Sequence, residues 1–313
     1  MHKLLTIAIP TYNRAQLLDK QLAWLAQDIK GFESECEIII SDNGSTDNTQ
    51  DILEKYQADF SNTTFHSNRN SENLGVMKNV VYCMNTASSK YLWKVGDDDK
   101  VRSGTVSYLL KRLKESSELS LLILNYSSST VTTGELIYER CYAIETEEVR
   151  SDGIAVFANC VKENVGGVGF ISALVCRTEF LQRALTMWPD SLNNMEAQVY
   201  WTAVCAASGS VIVTKDTFID NVFGDSYWMR EPKVLLKTQY VDLPTVYLKL
   251  LEIGYPKKFC RQMILKHFGE NNWRVFLGAL RKWPLLAVKV IVFYLSVVYI
   301  SVWEILLGEV DRT

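Results

Sequence analysis

Histidine is scarce in this 313-residue chain, which has only His2, His66 and His267, none beside other acid–base or metal-binding residues. That argues against histidine acid–base chemistry. The seven cysteines are widely spaced and none forms a Cys-x-x-Cys pair. Such residues read as buried thiols of a reducing compartment rather than a disulfide frame. Only 6 prolines and 16 glycines occur, and no internal repeat or low-complexity linker is present, which excludes collagenous and disordered classes. A net charge of −3 argues against non-specific nucleic-acid binding. The N-terminus lacks the pattern of a secretory signal, because Pro10 and the polar residues after it interrupt a short apolar run. The expectation is machinery that works in the cytoplasm. What the chain does have is 48% hydrophobic residues over a length that accommodates two modest domains.

Leu4 to Ile9 reads as a core strand stopped by Pro10, and Leu17, Leu18, Leu22, Leu25 and Ile29 follow at helical spacing. A second strand, Cys36 to Ile40, runs into the turn cluster Ser41-Asp42-Asn43-Gly44-Ser45, with a helix through Ile52, Leu53 and Tyr56. A strand near 63–66, a helix near 75–86 and a strand at 91–95 complete the alternation. That order predicts a mainly parallel sheet whose ligands bind beyond the carboxyl ends of its strands. Further on, a helix over 103–115, a strand over 119–125, a helix over 152–162, a strand over 170–176 and helices over 179–187 and 195–207 are expected.

The strand ends carry polar groups, and the third is the acidic triplet Asp97-Asp98-Asp99 after Gly96. Three neighbouring carboxylates suit a hard divalent cation, Mg²⁺ or Mn²⁺, or else form a solvated loop. Asp42 suits either a turn or the reading of a base N–H.

The segments Thr6 to Arg14, Glu37 to Asp47, Asn73-Leu74-Gly75 with Asn79, and then the triplet resemble, in order and spacing, the GT-A fold glycosyltransferases of family 2, especially those that build bacterial surface polysaccharides. The resemblance covers about the first 100 residues. It implies a Rossmann-like α/β domain of mainly parallel sheet with flanking helices. A nucleotide pocket would be formed by Pro10, Thr11, Tyr12, Arg14, Asp42, Ser45, Asn73, Lys78, Asp97 and Asp98, and a metal would be held among Asp97, Asp98 and Asp99. Lys78 suits either the diphosphate or plain solvation. Family members carry Asp-x-Asp-Asp where this chain has Gly96-Asp97-Asp98-Asp99, which leaves the identity of the metal ligand open. The resemblance also implies an inverting transfer, with a carboxylate base some 80–100 residues after the triplet. Glu196 is the first candidate, although it is also an ordinary first-turn glutamate, and Asp190 is the second.

The Gly166-Gly167-Val168-Gly169 run lacks the ending of a phosphate loop and is expected to be a flexible wall near the acceptor. Asn221 to Trp228 is either a lid or a surface loop. Between Pro256 and Lys289, eight Lys/Arg face the single acid Glu270. The apolar stretch from Trp283 to Trp303, carrying only Lys289, would be ~31 Å long as a helix. A basic and then apolar helical region fits attachment to the cytoplasmic face of a membrane, in plane or spanning, though burial or self-association would also cover it. The expected organisation is a nucleotide-sugar-binding half over 1–102, an acceptor-binding half over 103–230 and a helical membrane-associating region over 231–313. The expected activity moves a sugar from a nucleotide-diphosphate donor, with UDP the first carrier expected, to a lipid-linked glycan. The alternative is a non-catalytic, membrane-attached nucleotide-sugar-binding subunit.

Overall fold

A computed structural model describes residues 3–224, 231–270, 277–278, 281–293 and 295. They fall into two compact units: one of 1–193 with 198–224, the other of 194–197 with 225–313. The nucleotide-side and acceptor-side halves expected from the sequence share one sheet in the first unit.

The first unit begins β1 (Leu5–Thr11), α1 (Ala15–Asp28), β2 (Cys36–Asp42), α2 (Thr49–Gln57), β3 (Thr64–Arg69), α3 (Val76–Thr86), β4 (Tyr91–Lys94). Strands β3-β2-β1-β4 are neighbours in that order and all parallel. Residues of β2 and β4 are buried throughout, as in a parallel sheet covered on both faces. The register pairs Thr11 with Asp42, so β1 and β2 end level, and both ends face the loop that leaves β4.

Beyond β4 the sheet becomes mixed. β5 (Lys100–Val101) and α4 (Thr105–Glu115) lead to β6 (Leu119–Thr130) and β7 (Leu136–Tyr138). After α5 (Gly153–Gly169) come β8 (Leu174–Arg177), α6 (Thr178–Met187), α7 (Ala197–Ala206) and β9 (Ser210–Phe223). β8 lies antiparallel between β4 and β6, β9 runs parallel to β6, and β5 pairs antiparallel with β9. The expected mainly parallel sheet is thus a mixed one, in which β8, β5 and β7 run against their neighbours while β6 and β9 are parallel.

Two other expectations are corrected. Gly166 to Gly169 lies inside α5, past a kink at Asn164 (φ −157°), rather than forming a loop. A Cβ at Gly167 would sit 2.2 Å from the Tyr142 hydroxyl, so this glycine serves close packing. The strand expected over 170–176 is a 3-10 turn, Ile171–Ala173, followed by the shorter β8. Of the candidate lid, Asn221 to Phe223 completes β9, and 225–228 lie outside the described residues.

All seven cysteines are free and buried. Buried near three of them is a charge: Lys94 on β4 is fully enclosed, its Nζ donating to Gln198 Oε1 at 2.7 Å and lying 5.7 Å from the Trp201 ring centre. Burial lowers its pKa, against the pull of Cys176, Cys205 and Cys83. This bond ties α7 to the sheet.

The second unit contains helices Pro232–Lys237, Leu243–Leu251 and Lys257–Glu270, with a π-helical turn over Thr238–Asp242. Residues 284–293 are helical. No described helix is long and apolar enough to cross a membrane. Most of the apolar stretch after Phe293 lies outside the described residues.

Gln198→Leu is expected to strand the Lys94 ammonium and cost about 2–3 kcal/mol in urea unfolding. Adding Lys94→Met should recover most of that loss, because an apolar pair replaces a buried charge. A double variant no more stable than Gln198→Leu alone would refute this account of the site.

Candidate functional site

The loops after β1, β2 and β4 gather at one end of the sheet, and their conformations are set by short-range demands. Asn13 has φ 52°, the only positive value outside glycine among the described residues. Its backbone N–H donates to Ser45 Oγ at 2.8 Å and its Oδ1 accepts from the Thr46 N–H at 2.7 Å. Asparagine tolerates this left-handed region better than most residues. The loop after β1 is thereby locked onto the turn after β2. That turn needs Gly44, at φ 79°, where a Cβ would lie 2.8 Å from the Glu72 backbone.

Beneath the loops lies an asparagine network. Asn79 on α3 accepts from Ser41 Oγ at 2.6 Å, and donates to the carbonyl of Ser41 at 2.9 Å and that of Thr11 at 3.4 Å. Asn43 donates to Asn73 Oδ1 at 2.8 Å and accepts from Asn70 and from the Leu74 N–H, both at 3.0 Å. Asn73 is thus a loop brace. Lys78 is exposed on α3, and Tyr12 is exposed beside Pro10 at the end of β1.

The Asp42 carboxylate is fully buried. Its Oδ1 accepts from the Ser45 N–H at 2.9 Å, and its Oδ2 accepts from Gln50 at 2.6 Å, with Arg69 Nε 3.7 Å away. Arg69 also donates to the Ser45 carbonyl at 2.6 Å. The structure thus gives Asp42 the turn-holding role and puts Gln50 and the half-exposed Arg69 around it. Sequence reasoning missed both. The available signal was the polar Asn68-Arg69-Asn70 at the end of a third parallel strand.

The triplet divides. Arg14 Nη1 lies 2.9 Å from Asp97 Oδ1 and 2.7 Å from Asp98 Oδ2, so the two carboxylates converge on one cationic nitrogen. Thr11 Oγ1 donates to the other Asp97 oxygen at 2.6 Å. Burial raises the Asp97 pKa despite Thr11 and Arg14, and Asp98 adds to the rise. Burial opposes the Arg14 charge, but Asp97 and Asp98 outweigh it and raise its pKa. Asp99 turns the other way and accepts from the Ser172 hydroxyl. Its pKa is pushed up to about 7, by burial first and then by Asp98 and Asp97, with Ser172 opposing. Ser172 Oγ in turn accepts from the Gly96 N–H at 2.8 Å.

No group of three or more His, Cys, Asp or Glu poised to hold a metal occurs among the described residues. Asp97 and Asp98 nevertheless fit one: two carboxylate oxygens meet at a single cation position, the guanidinium nitrogen standing in for the ion. A hard divalent cation commonly takes one or two protein carboxylates and fills its other positions with water and phosphate oxygens.

The two base candidates differ sharply. Asp190 is exposed in the 3-10 turn Pro189–Asn193 of the first unit. Glu196 belongs to the second unit, with its N–H donating to Asn194 Oδ1 at 2.8 Å. Its carboxyl pKa is pushed up to about 7 by burial and then by the negative charge of Asp242. Asp242 is itself held by Lys237, at 2.6 and 2.8 Å, and by the Met195 N–H at 3.2 Å.

Comparison with known proteins bears on the family and the fold. Residues 6–160 match the profile of Glycosyl transferase family 2. Abequosyltransferase RfbV of Salmonella typhimurium is 32% identical over 118 residues, covering 38% of this chain and 35% of that protein. GalNAc(5)-diNAcBac-PP-undecaprenol beta-1,3-glucosyltransferase of Campylobacter jejuni is 31% identical over 112 residues, covering 36% and 35%. The match therefore spans about a third of the length of these relatives. Among solved structures, S. aureus TarS 1-349 in complex with UDP aligns with a TM-score of 0.62 at 15% identity, over 85% of this chain and 70% of that one. Mannosyltransferase PcManGT from Pyrobaculum calidifontis, in complex with GDP-Man and Mn²⁺, aligns at 0.55 and 12% identity, over 95% and 80%. At such identities the likeness concerns the fold.

Asn79→Ala removes the hub of the network and strands the Ser41 carbonyl, so it is expected to cost about 2 kcal/mol in denaturant unfolding. Lys78→Ala, one residue away but exposed, should change stability by less than about 0.5 kcal/mol. Equal effects from the two would contradict the structural role given to Asn79.

Proposed function

The chain belongs to Glycosyl transferase family 2 through residues 6–160, and from that premise we propose that it moves a sugar from a nucleotide-diphosphate donor, with UDP the first carrier expected, to a hydroxyl of a lipid-linked glycan with inversion. The observation that carries this reading is the pair Asp97 and Asp98 converging on one cation position at the ends of parallel strands, where a donor diphosphate needs its charge met. The acceptor class is supported by the Campylobacter relative, whose name specifies an undecaprenol-linked glycan. The UDP complex of TarS supports the donor class.

In this reading Thr11, Tyr12 and Ser45, on loops braced by Asn43, Asn73 and Asn79, line the nucleotide pocket, with Pro10 beneath and Lys78 at the rim. Arg69 and Gln50 join Asp42 at its base end. Asp97 and Asp98 would hold Mg²⁺ or Mn²⁺, which when bound neutralises charge on the diphosphate leaving group. Glu196 takes the acceptor hydroxyl's proton. Glu196, pushed up to about 7, is matched to proton transfer at neutral pH, whereas Asp190 lies exposed on a 3-10 turn. That contrast favours Glu196 over Asp190.

The same reading puts the protein at the cytoplasmic face of a membrane. Leu285, Val288, Val292 and Leu295 are exposed at spacings of three and four, while Ala287 and Val290 are buried. Arg281, Lys282 and Lys289 flank that stripe. An apolar stripe beside basic residues favours binding in the plane of an anionic lipid surface.

Glu196→Gln is expected to lower kcat by at least roughly 100-fold while leaving nucleotide binding in calorimetry unchanged. Because the base acts only when ionised, wild-type kcat should fall as pH drops through about 7, the value to which Glu196 is pushed. A flat profile between pH 6 and 8, with full turnover in Glu196→Gln, would remove it from this role.

Val288→Glu with Val292→Glu should reduce co-sedimentation with anionic phosphatidylglycerol vesicles several-fold, each buried apolar group contributing about 1 kcal/mol or more. Unchanged sedimentation, or a loss seen instead as a change of oligomeric state in light scattering, would reassign the stripe.

A further inference from the structure

Arg14 is fixed at its backbone and partly exposed at its guanidinium. The preceding Asn13 is bonded to Ser45 and Thr46, and the Arg14 carbonyl accepts from the N–H groups of Leu17, at 3.0 Å, and Leu18, at 2.9 Å. The side chain itself is 39% exposed. Of its donors, Nη1 alone is bonded among the described residues, to Asp97 and Asp98. Those are the oxygens on which any other cation at this position would depend, and two cations cannot share them without repulsion. Asp98 is 44% exposed and Asp97 only 5%, so the bridge has one buried anchor and one face open to solvent. Guanidinium groups pair bidentately with phosphate oxygens as readily as with carboxylates.

Resting on the metal-assisted, diphosphate-binding reading above, we propose that Arg14 is an exchangeable counter-cation. It bridges Asp97 and Asp98 in the donor-free protein, yields those carboxylates to the divalent cation, and moves its guanidinium onto the donor's diphosphate. Each ligand then removes part of the cost of the other, because the diphosphate offers Arg14 a new partner and the cation occupies the old one. Divalent cation and nucleotide bind cooperatively through this residue, and the coupling is reciprocal. Arg14 is a positioning residue for the cation and a direct partner of the diphosphate.

The test measures Mn²⁺ binding by electron paramagnetic resonance of free Mn²⁺, on wild type, Arg14→Met and Arg14→Lys, alone and with saturating UDP or, in parallel, GDP. Thermal melting verifies that each variant is folded. Nucleotide-free Arg14→Met is expected to bind Mn²⁺ on the order of tenfold more tightly than wild type, the equivalent of one charge-assisted hydrogen bond removed. The factor by which nucleotide enhances Mn²⁺ affinity should shrink correspondingly. Arg14→Lys keeps the charge but not the fork, so it should lie between the two, and it carries the test if Arg14→Met does not fold. Mn²⁺ affinity unchanged in nucleotide-free Arg14→Met, or raised equally with and without nucleotide, overturns the exchange while leaving the metal reading intact. Wild type and both variants failing to bind Mn²⁺ under every condition would instead remove the metal-assisted reading, and the exchange with it.

Discussion

Two carboxylates at the end of a buried strand require a cation, and Arg14 supplies it. Asp97 is almost wholly enclosed, Asp98 is next to it, and one guanidinium nitrogen lies within 2.9 Å of both. Enclosing an unpaired carboxylate would cost several kcal/mol or force it to take up a proton. Much else at this end of the sheet follows from bringing Arg14 to that point. It has to come from the loop after β1, the strand beside β4, and that loop must turn sharply within two residues of Thr11. Asn13 makes the turn in a left-handed conformation, and Ser45 and Thr46 on the neighbouring loop hold it there.

The second loop is then constrained in turn. Ser45 is in place because Asp42 accepts from its N–H, and Asp42 tolerates complete burial because Gln50 and Arg69 meet its other oxygen. Asn79 and Asn43 take up the backbone and side-chain groups left over where three strands stop. Ends of parallel strands expose N–H and C=O groups that no ladder satisfies, and short amides, each with donors and an acceptor, suit that irregular demand. The result is a rim whose shape is fixed by polar bonds while Tyr12, Lys78, Arg69 and the tip of Arg14 remain at the surface.

β1, β2 and β4 were legible because each is a short apolar run followed at once by turn residues, and β3, though polar, because helices of clear period flank it. Thr11, Asp42 and the triplet were legible as strand-end polar groups for the same reason. The second half resisted because its pairings are distant. β9 continues through Lys215, Asp216 and Asp220, with no strict alternation, and is held in the sheet by β6 some ninety residues earlier. β5 has only two residues and exists through its pairing with β9. Gly166 to Gly169 read as a loop by composition, yet tertiary packing against Tyr142 and Cys141 selects glycine within a helix. Asp42 shows the limit within the site. Its residue type and position suit the reading of a base or the holding of a turn, and what the sequence did not show is its complete burial and its partners Ser45, Gln50 and Arg69.

The glycine at position 96, where the resemblance leads one to expect an aspartate, belongs to the same electrostatic problem. One guanidinium carries a single positive charge, which Asp97 and Asp98 already share, and a third or fourth carboxylate would find no cation here. Asp99 escapes by folding back onto Ser172, where burial pushes its pKa up to about 7 and makes the protonated form accessible near neutrality. That reversed path runs over position 96: a Cβ there would lie 2.3 Å from Asp99 Oδ2 and 3.2 Å from Asp98 Oδ1. Any larger residue would press on the Asp99 carboxylate that Ser172 holds, and an aspartate would also add a fourth carboxylate. The absence of that side chain and the withdrawal of Asp99 therefore act together, leaving Asp97 and Asp98 as the pair that meets a single cation.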